Sequence, residues 1–112
     1  MMVFANFRRS VSAFMSPEVV SGEAHDGRLA DVWSLGATVY CLLFGRPPFV
    51  GRGREASARM RDLFQQIRHD DLAFPEGGVD AVLRSFLGRC LEKSPARRMT
   101  LDEARDHPWL RR

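Results

Sequence analysis

One stretch near the middle of the chain is apolar on every side of a helical wheel. It runs from Asp31 to Gly45, and only Ser34 and Thr38 interrupt it with interior hydroxyls. A helix of this kind either spans a membrane or lies at the centre of a globular fold. Spanning a bilayer takes about 20 apolar residues, and this stretch is too short. We therefore predict a central buried helix at about residues 31–44, ended by Gly45.

The other patterns in the chain are helical as well. Apolar residues recur at helical spacing between Glu55 and Arg68 and again between Val79 and Leu91. Ser16-Pro17-Glu18 has a capping hydroxyl and a proline where a short helix would begin. Thr100-Leu101-Asp102-Glu103 has the form of a capping box. Because no alternating strand pattern of useful length occurs, the predicted class is all-α, with the helices packed around residues 31–44.

The composition excludes several kinds of protein. The 112 residues, 45% of them hydrophobic and 28% charged, are enough for one small folded domain. Neither Cys41 and Cys90 nor the three separated histidines have metal-ligand spacing, so we expect no metal site. The N-terminus does not have the order of charges that a secretory signal has. The sequence therefore indicates a cytoplasmic chain that has no membrane partner.

The positive charge raises the question of nucleic acid binding. The net charge is +3, and nearly all the basic residues are arginines. They are scattered along the chain and are not interleaved with aromatic residues, which does not match a known nucleic-acid motif. We therefore expect a solvated arginine-rich surface and no nucleic acid partner. The one local concentration, from Arg52 to Arg61, could dock an acidic partner.

Several short motifs, taken together, are similar to one known family. The motifs are Phe14-Met15-Ser16-Pro17-Glu18, Asp31-Val32-Trp33-Ser34-Leu35-Gly36, Pro47-Pro48-Phe49, and Leu91 to Thr100 followed by His107-Pro108-Trp109. In order, they resemble the end of the activation segment, the start of the central F helix, the turn after it, and the closing helices of a serine/threonine protein kinase domain. The resemblance covers residues 10–112, which would be the C-terminal part of the kinase domain, and leaves residues 1–9 as an irregular segment.

Within that family the chain is most similar to the calcium/calmodulin-dependent protein kinase kinases and their plant relatives. Phe74-Pro75-Glu76 and Arg98-Met99-Thr100 are among the residues that carry this similarity. Those enzymes phosphorylate the activation loops of metabolic kinases. The resemblance therefore implies a role in signal transduction and a protein substrate such as another kinase.

The resemblance also implies structural roles for particular residues. The glutamate of the first motif, Glu18, would lie buried against an arginine near the end of the chain. The spacing from Pro95 favours Arg98, although the adjacent Arg97 stays an alternative. A guanidinium suits the role because it meets a carboxylate with two hydrogen bonds and stays charged when buried.

The central helix contributes three more residues to this structural set. Asp31 would accept hydrogen bonds from the backbone of the catalytic loop. Without the resemblance, it would be an ordinary acid in the first turn of a helix. Trp33 and Gly36 complete the set.

Residues 10–16 would form the floor of the substrate channel. The residues concerned are Val11, Ser12, Phe14, Met15 and Ser16, and Ser10 and Ser12 are candidate hydroxyls for phosphorylation. The chain departs from the family at Val11, where a threonine usually bonds to the catalytic aspartate. Because valine has no hydroxyl, either the activity is impaired or the chain belongs to a degenerate copy.

The motifs that hold ATP and Mg²⁺ do not occur in this sequence. Phosphoryl transfer needs a glycine-rich loop, a lysine, metal-binding acids and a catalytic aspartate. The chain has no G-x-G-x-x-G, no V-A-I-K-like lysine, no H-R-D and no D-F-G. We therefore expect the upstream half of the domain to supply the ATP and Mg²⁺ sites, and we expect the chain to be inactive alone. The alternative is a non-catalytic interaction module or pseudokinase remnant, which would bind partners through the helix from Arg52 to Arg68.

Overall fold

The computed structural model describes residues 12–111; five α-helices follow residue 16, and none of the described residues lies in a strand. The helices are α1 (Pro17–Val20), α2 (Gly27–Phe44), α3 (Ala56–His69), α4 (Ala81–Cys90) and α5 (Leu101–Asp106). The predicted all-α class is confirmed. Residues 1–9, Ser10 and Val11 lie outside the described residues.

The central helix α2 begins earlier than the sequence pattern predicts. The carboxylate of Asp26 accepts the backbone N–H of Arg28 at 2.9 Å and caps the helix before Gly27. Asp31 therefore lies inside α2, so its interpretation as a first-turn acid is wrong. At the other end Gly45 adopts a left-handed conformation and its N–H bonds to the carbonyl of Cys41, as predicted.

The core forms on one side of α2. Trp33 and Tyr40 of α2 pack there with Phe86 and Leu87 of α4, and all four are buried. On the other side of α2 the side chains of Leu35, Leu42 and Leu43 are exposed, Leu42 by 80%. Among residues 12–111, α2 is therefore buried on one side, as predicted, and exposed on the other.

Gly36 is the point of closest approach between α2 and the end of α4. A Cβ atom at Gly36 would lie 2.5 Å from the Cβ of Cys90 and 3.2 Å from the Cγ of Leu91. Real side chains do not approach so closely, and the atoms in the way belong to two packed core residues. A larger residue would therefore push α2 and α4 apart.

Gly36→Ala is expected to destabilise the protein by about 1–3 kcal/mol, because it overpacks the contact between α2 and α4. Gly88→Ala is the matched control. Gly88 also lies within a helix, but a Cβ there meets nothing within 4 Å, so alanine should stabilise by up to about 1 kcal/mol. Melting temperatures of the two variants, made in the protein expressed from its complete transcript, measure the difference. Equal melting temperatures would contradict the close approach.

The chain closes on an aromatic cluster around His107. The imidazole Nδ1 accepts the backbone N–H of Trp109 at 3.1 Å, and Nε2 lies 3.2 Å from the hydroxyl of Ser85. Phe86 meets the His107 ring edge-on at 5.3 Å. Burial lowers the pKa of His107 from its ordinary value. The preceding helix α5 begins with the capping box of Thr100 and Glu103, which confirms that prediction.

Candidate functional site

A buried ion pair joins the beginning of the described chain to its end. Arg98 donates from Nη1 to Oε2 of Glu18 at 2.7 Å and from Nη2 to Oε1 at 2.8 Å. The two side chains are 0% and 3% exposed, and the residues are 80 positions apart. Arg97, the other candidate, is an exposed side chain that pairs with Glu92 at 3.4 Å. The structure therefore brings Glu18 together with Arg98.

The Arg98 guanidinium also contacts two backbone carbonyls and the ring of Trp33. Nε donates to the carbonyl of Glu92 at 2.8 Å, and Nη1 also donates to the carbonyl of Leu29 at 2.9 Å. The guanidinium carbon Cζ lies 5.3 Å from the centre of the Trp33 ring. A buried ion pair is stable only when such donors are satisfied. Burial, the largest single influence, would raise the pKa of Glu18. The hydrogen bonds and the charge of Arg98, together with a backbone hydrogen bond to the carboxylate, outweigh burial and hold that pKa below its usual value.

Trp33 lies between this ion pair and the turn that follows α2. Its side chain is fully buried, and its ring stacks on Phe49 with centroids 6.2 Å apart. Within the described residues the indole N–H has no hydrogen-bond partner. Trp33 thus packs the turn after α2 against the segment that carries Arg98.

Lys93 is a positioning residue that sequence reasoning missed. Its ammonium donates to the carbonyls of Ile67 at 2.7 Å and Gln66 at 3.4 Å, at the C-terminal end of α3. It also lies 4.5 Å from the centre of the Phe49 ring. Partial burial lowers the pKa of Lys93. Its partners are 26 and 27 positions away, so no local pattern could have indicated this contact.

The candidate substrate-channel residues lie directly beside α2. Ser34 of α2 donates its hydroxyl to the carbonyl of Phe14 at 3.0 Å, which fixes this loop to the central helix. Ser12, Phe14 and Met15 are half-buried, whereas Val11 lies outside the described residues.

Ser16 stands at the N-cap position of α1, but its hydroxyl does not cap the helix. The hydroxyl is buried and without a hydrogen bond in the part of the chain that is described. The Val20 N–H bonds instead to the Ser16 backbone carbonyl. The predicted capping hydroxyl is therefore wrong.

A row of exposed residues follows the outer side of α2. Asp31, Leu35, Thr38 and Leu42 succeed one another at turn spacing. The Thr38 hydroxyl bonds within the helix, to the carbonyl of Ser34 at 2.8 Å. The Asp31 carboxylate has no partner among residues 12–111. This outer row, as we call it, presents one free carboxylate followed by apolar side chains.

The described residues contain no candidate metal site. They contain no group of three or more His, Cys, Asp or Glu residues that could hold a metal ion. A depression lined by the first turns of α2 and α5 offers Arg28 as a cation, but Arg28 already pairs with Asp26 at 3.5 Å. Burial raises the pKa of the Cys90 thiol to about 12, so it is not a nucleophile. No helix in the described range is long and apolar enough to cross a membrane.

Comparisons with known proteins identify the family. The family model for the protein kinase domain matches residues 5–110. The chain is 37% identical to the serine/threonine-protein kinase GRIK1 of Arabidopsis thaliana over 97 residues, which cover 87% of the chain and 23% of that protein. It is 39% identical to the calcium/calmodulin-dependent protein kinase kinase cmkC of Emericella nidulans over 100 residues, covering 88% and 18%.

A third relative agrees with these two. The serine/threonine-protein kinase SAPK4 of Oryza sativa subsp. japonica is 35% identical over 99 residues, covering 88% of the chain and 27% of that protein. The chain thus spans only a small part of each relative's length. The helices, the buried pair of Glu18 and Arg98, and these matches lead to one conclusion: the chain belongs to the protein kinase domain family, as a C-terminal part of such a domain similar to those of serine/threonine kinases.

Proposed function

We propose that this chain is the substrate-side part of a serine/threonine protein kinase, which transfers the γ-phosphoryl group of ATP to a protein hydroxyl. The observation that carries the proposal is the outer row on α2. It is an exposed line of apolar side chains with the unpartnered Asp31 at its head, on the helix whose other side forms the core. We expect another segment of the kinase domain to cover this surface. Its backbone N–H groups would donate to Asp31, and its apolar side chains would pack on Leu35 and Leu42.

ATP and Mg²⁺ would be held by residues that this sequence does not contain. The sequence lacks the glycine-rich loop, the lysine and the metal-binding acids, and residues 12–111 contain no group of three or more His, Cys, Asp or Glu residues that could hold a metal ion. When bound, Mg²⁺ would neutralise charge that develops on the phosphate oxygens. This chain would position the catalytic loop and the protein substrate, and would not itself contribute the groups that bind ATP or take part in the reaction.

The positioning would act through α2. Asp31 would hold the catalytic loop at one point of this helix, and Ser34 holds the Phe14 loop at another, through its 3.0 Å hydrogen bond. The catalytic loop and the substrate-channel floor would then share one rigid support, and correct placement is a large part of phosphoryl-transfer catalysis. Val11 removes one further hydroxyl contact, so we expect weaker placement than a threonine would give.

The relatives and the cysteines support a proposal for the acceptor and for the compartment. The relative cmkC is a calcium/calmodulin-dependent protein kinase kinase, which supports another kinase as the protein acceptor and a role in signal transduction. Cys41 and Cys90 are both free thiols, as is usual in a reducing compartment. We therefore place the protein in the cytoplasm.

The test is a phosphoryl-transfer assay on the protein expressed from its complete transcript. Asp31→Asn is expected to lower kcat by about 10- to 100-fold, because a displaced catalytic loop misplaces the reacting groups. Asp102→Asn, which removes another exposed acid, on α5, should leave kcat within about twofold. Thermal melts of both variants check that they fold.

Two results would overturn the proposal. The first is full activity of the Asp31→Asn variant. The second is a folded protein that transfers no phosphate to any protein acceptor, which would favour the non-catalytic module instead.

A further inference from the structure

Ion pairing of the arginines differs sharply between one segment and the rest of the described chain. Six of the seven described arginines outside residues 46–69 have a carboxylate partner, and these are Arg28, Arg89, Arg97, Arg98, Arg105 and Arg111. The seventh, Arg84, lies over the Phe74 ring instead. Within residues 46–69 no arginine pairs with a carboxylate of the described range, although Arg46, Arg52, Arg54, Arg59, Arg61 and Arg68 all lie there.

The positive charge of the chain is concentrated in the same segment. Residues 46–69 hold six arginines against Glu55 and Asp62, a net charge of +4, whereas the whole chain carries +3. Asp62 is already engaged, because its carboxylate accepts the backbone N–H of Arg52 at 2.7 Å and the amide of Gln66 at 3.0 Å. It therefore holds the backbone in place and leaves the arginine side chains unpaired.

The loop at residues 50–55 is held firmly against α3. Gln66 bonds to both the N–H and the carbonyl of Val50, at 3.3 and 2.7 Å. Arg59 donates to the carbonyls of Gly53 at 3.2 Å and Arg54 at 2.8 Å. Gly51 permits this approach, since a Cβ there would lie 2.0 Å from the Arg59 carbonyl oxygen. Arg52 and Arg54 thus start from a backbone that is already ordered.

The outer face of α3 adds two arginines to those of the loop. Arg61 and Arg68 are two helical turns apart, which puts them on one face at about 10 Å spacing, with the exposed Gln65 between them. Leu63 and Ile67 are buried on the opposite face. No acid of α3 stands three or four positions from Arg61, so the helix does not neutralise it.

We propose that Arg52, Arg54, Arg61 and Arg68 form a docking surface, here called the arginine surface, for an acidic segment of a partner protein. A matching segment would carry carboxylates about 10 Å apart, which corresponds to two turns of a helix or three residues of an extended chain. Because the loop backbone is already ordered, binding loses less conformational entropy. The unpaired charges would also speed the encounter.

The chemistry of this surface favours protein over nucleic acid. Single-stranded nucleic acid is bound by stacking its bases on exposed aromatic rings beside the cations. Phe64, the aromatic residue of α3, packs against the core, and the exposed neighbours of Arg61 are Ser57 and Gln65. The surface therefore offers charge without a stacking platform. The proposal does not depend on whether the protein transfers phosphate.

The test is fluorescence anisotropy with the protein expressed from its complete transcript. The probes are a labelled glutamate-rich peptide, the same peptide with glutamine in place of every glutamate, and a labelled oligo-dT strand. The variant Arg61→Gln/Arg68→Gln removes two charges from the arginine surface. The control Arg28→Gln/Arg105→Gln removes two exposed charges elsewhere, so both proteins have the same net charge.

We expect the arginine-surface variant to bind the glutamate peptide about tenfold more weakly, and the control to change by less than about twofold. The affinity of the wild-type protein for the glutamate peptide should decrease as the salt concentration rises from about 50 to 200 mM. Equal losses in both variants, or equal binding of the glutamine peptide, would overturn the proposal. Tighter binding of oligo-dT than of the glutamate peptide would make the surface a nucleic-acid site and would also overturn it.

Discussion

Replacing Arg98 with methionine is expected to destabilise the protein by about 3–5 kcal/mol, as measured by urea unfolding of the protein expressed from its complete transcript. Methionine keeps much of the buried stem but removes the guanidinium, so the Glu18 carboxylate stays buried without its 2.7 and 2.8 Å hydrogen bonds. The carbonyls of Leu29 and Glu92 lose a donor as well. One substitution thus leaves several buried acceptors unsatisfied.

The neighbouring residue provides the matched control for this prediction. Arg97→Met removes the same group from a 78% exposed side chain that pairs with Glu92, and exposed pairs contribute less than about 1 kcal/mol. Combining Arg98→Met with Glu18→Leu should recover part of the loss, because no unpaired charge then stays buried. Equal stabilities of the Arg97 and Arg98 variants would show that the buried pair does not stabilise the fold.

The same pair gives the wild-type protein a defined response to acid. The pKa of Glu18 is lower in the folded than in the unfolded state, so unfolding takes up a proton in the interval between the two values. The contribution of the pair is therefore complete above the ordinary glutamate pKa of 4.5 and is lost as the pH falls through the folded value. Arg98→Met should show less of this acid sensitivity.

The 112-residue chain by itself is expected to melt without a sharp cooperative transition and to bind a hydrophobic dye. Leaving about 400 Å² of the outer side of α2 bare would forgo about 10 kcal/mol at 25 cal/mol per Å², comparable with the whole stability of a small domain. Leu42 and Leu43 are 80% and 49% exposed there. A circular dichroism melt with size-exclusion chromatography measures the outcome.

Substitutions on α2 separate this explanation from a general lack of stability. Leu42→Gln/Leu43→Gln should make the isolated chain more soluble and more monomeric, because it removes the bare apolar surface. Leu101→Gln/Leu110→Gln is the control, since these leucines are similarly exposed elsewhere, and it should change little. A sharp cooperative melt of the unmodified chain as a monomer would contradict the prediction.

Features that depend on neighbouring residues could be predicted from the sequence alone. The stripe of α3, the capping box of Thr100 and Glu103, and the end of α2 at Gly45 all arise within a few positions. They could be predicted because helix periodicity and capping are local interactions. The start of α2 was predicted too late, because Asp26 caps a helix whose first turn has no apolar stripe.

The contacts that build the candidate site could not be decided in this way. Arg97 and Arg98 are chemically identical neighbours. The resemblance favoured Arg98 but left Arg97 open, and the packing of the chain turned Arg98 inward to Glu18, 80 positions away. Lys93 at the end of α3 and Ser34 at the Phe14 carbonyl are equally remote from their partners. The sequence by itself determined where the helices form and that α2 needs apolar neighbours. The tertiary structure decided which charged groups pair with each other. A buried charge needs a partner, and these groups become buried only when the helices pack.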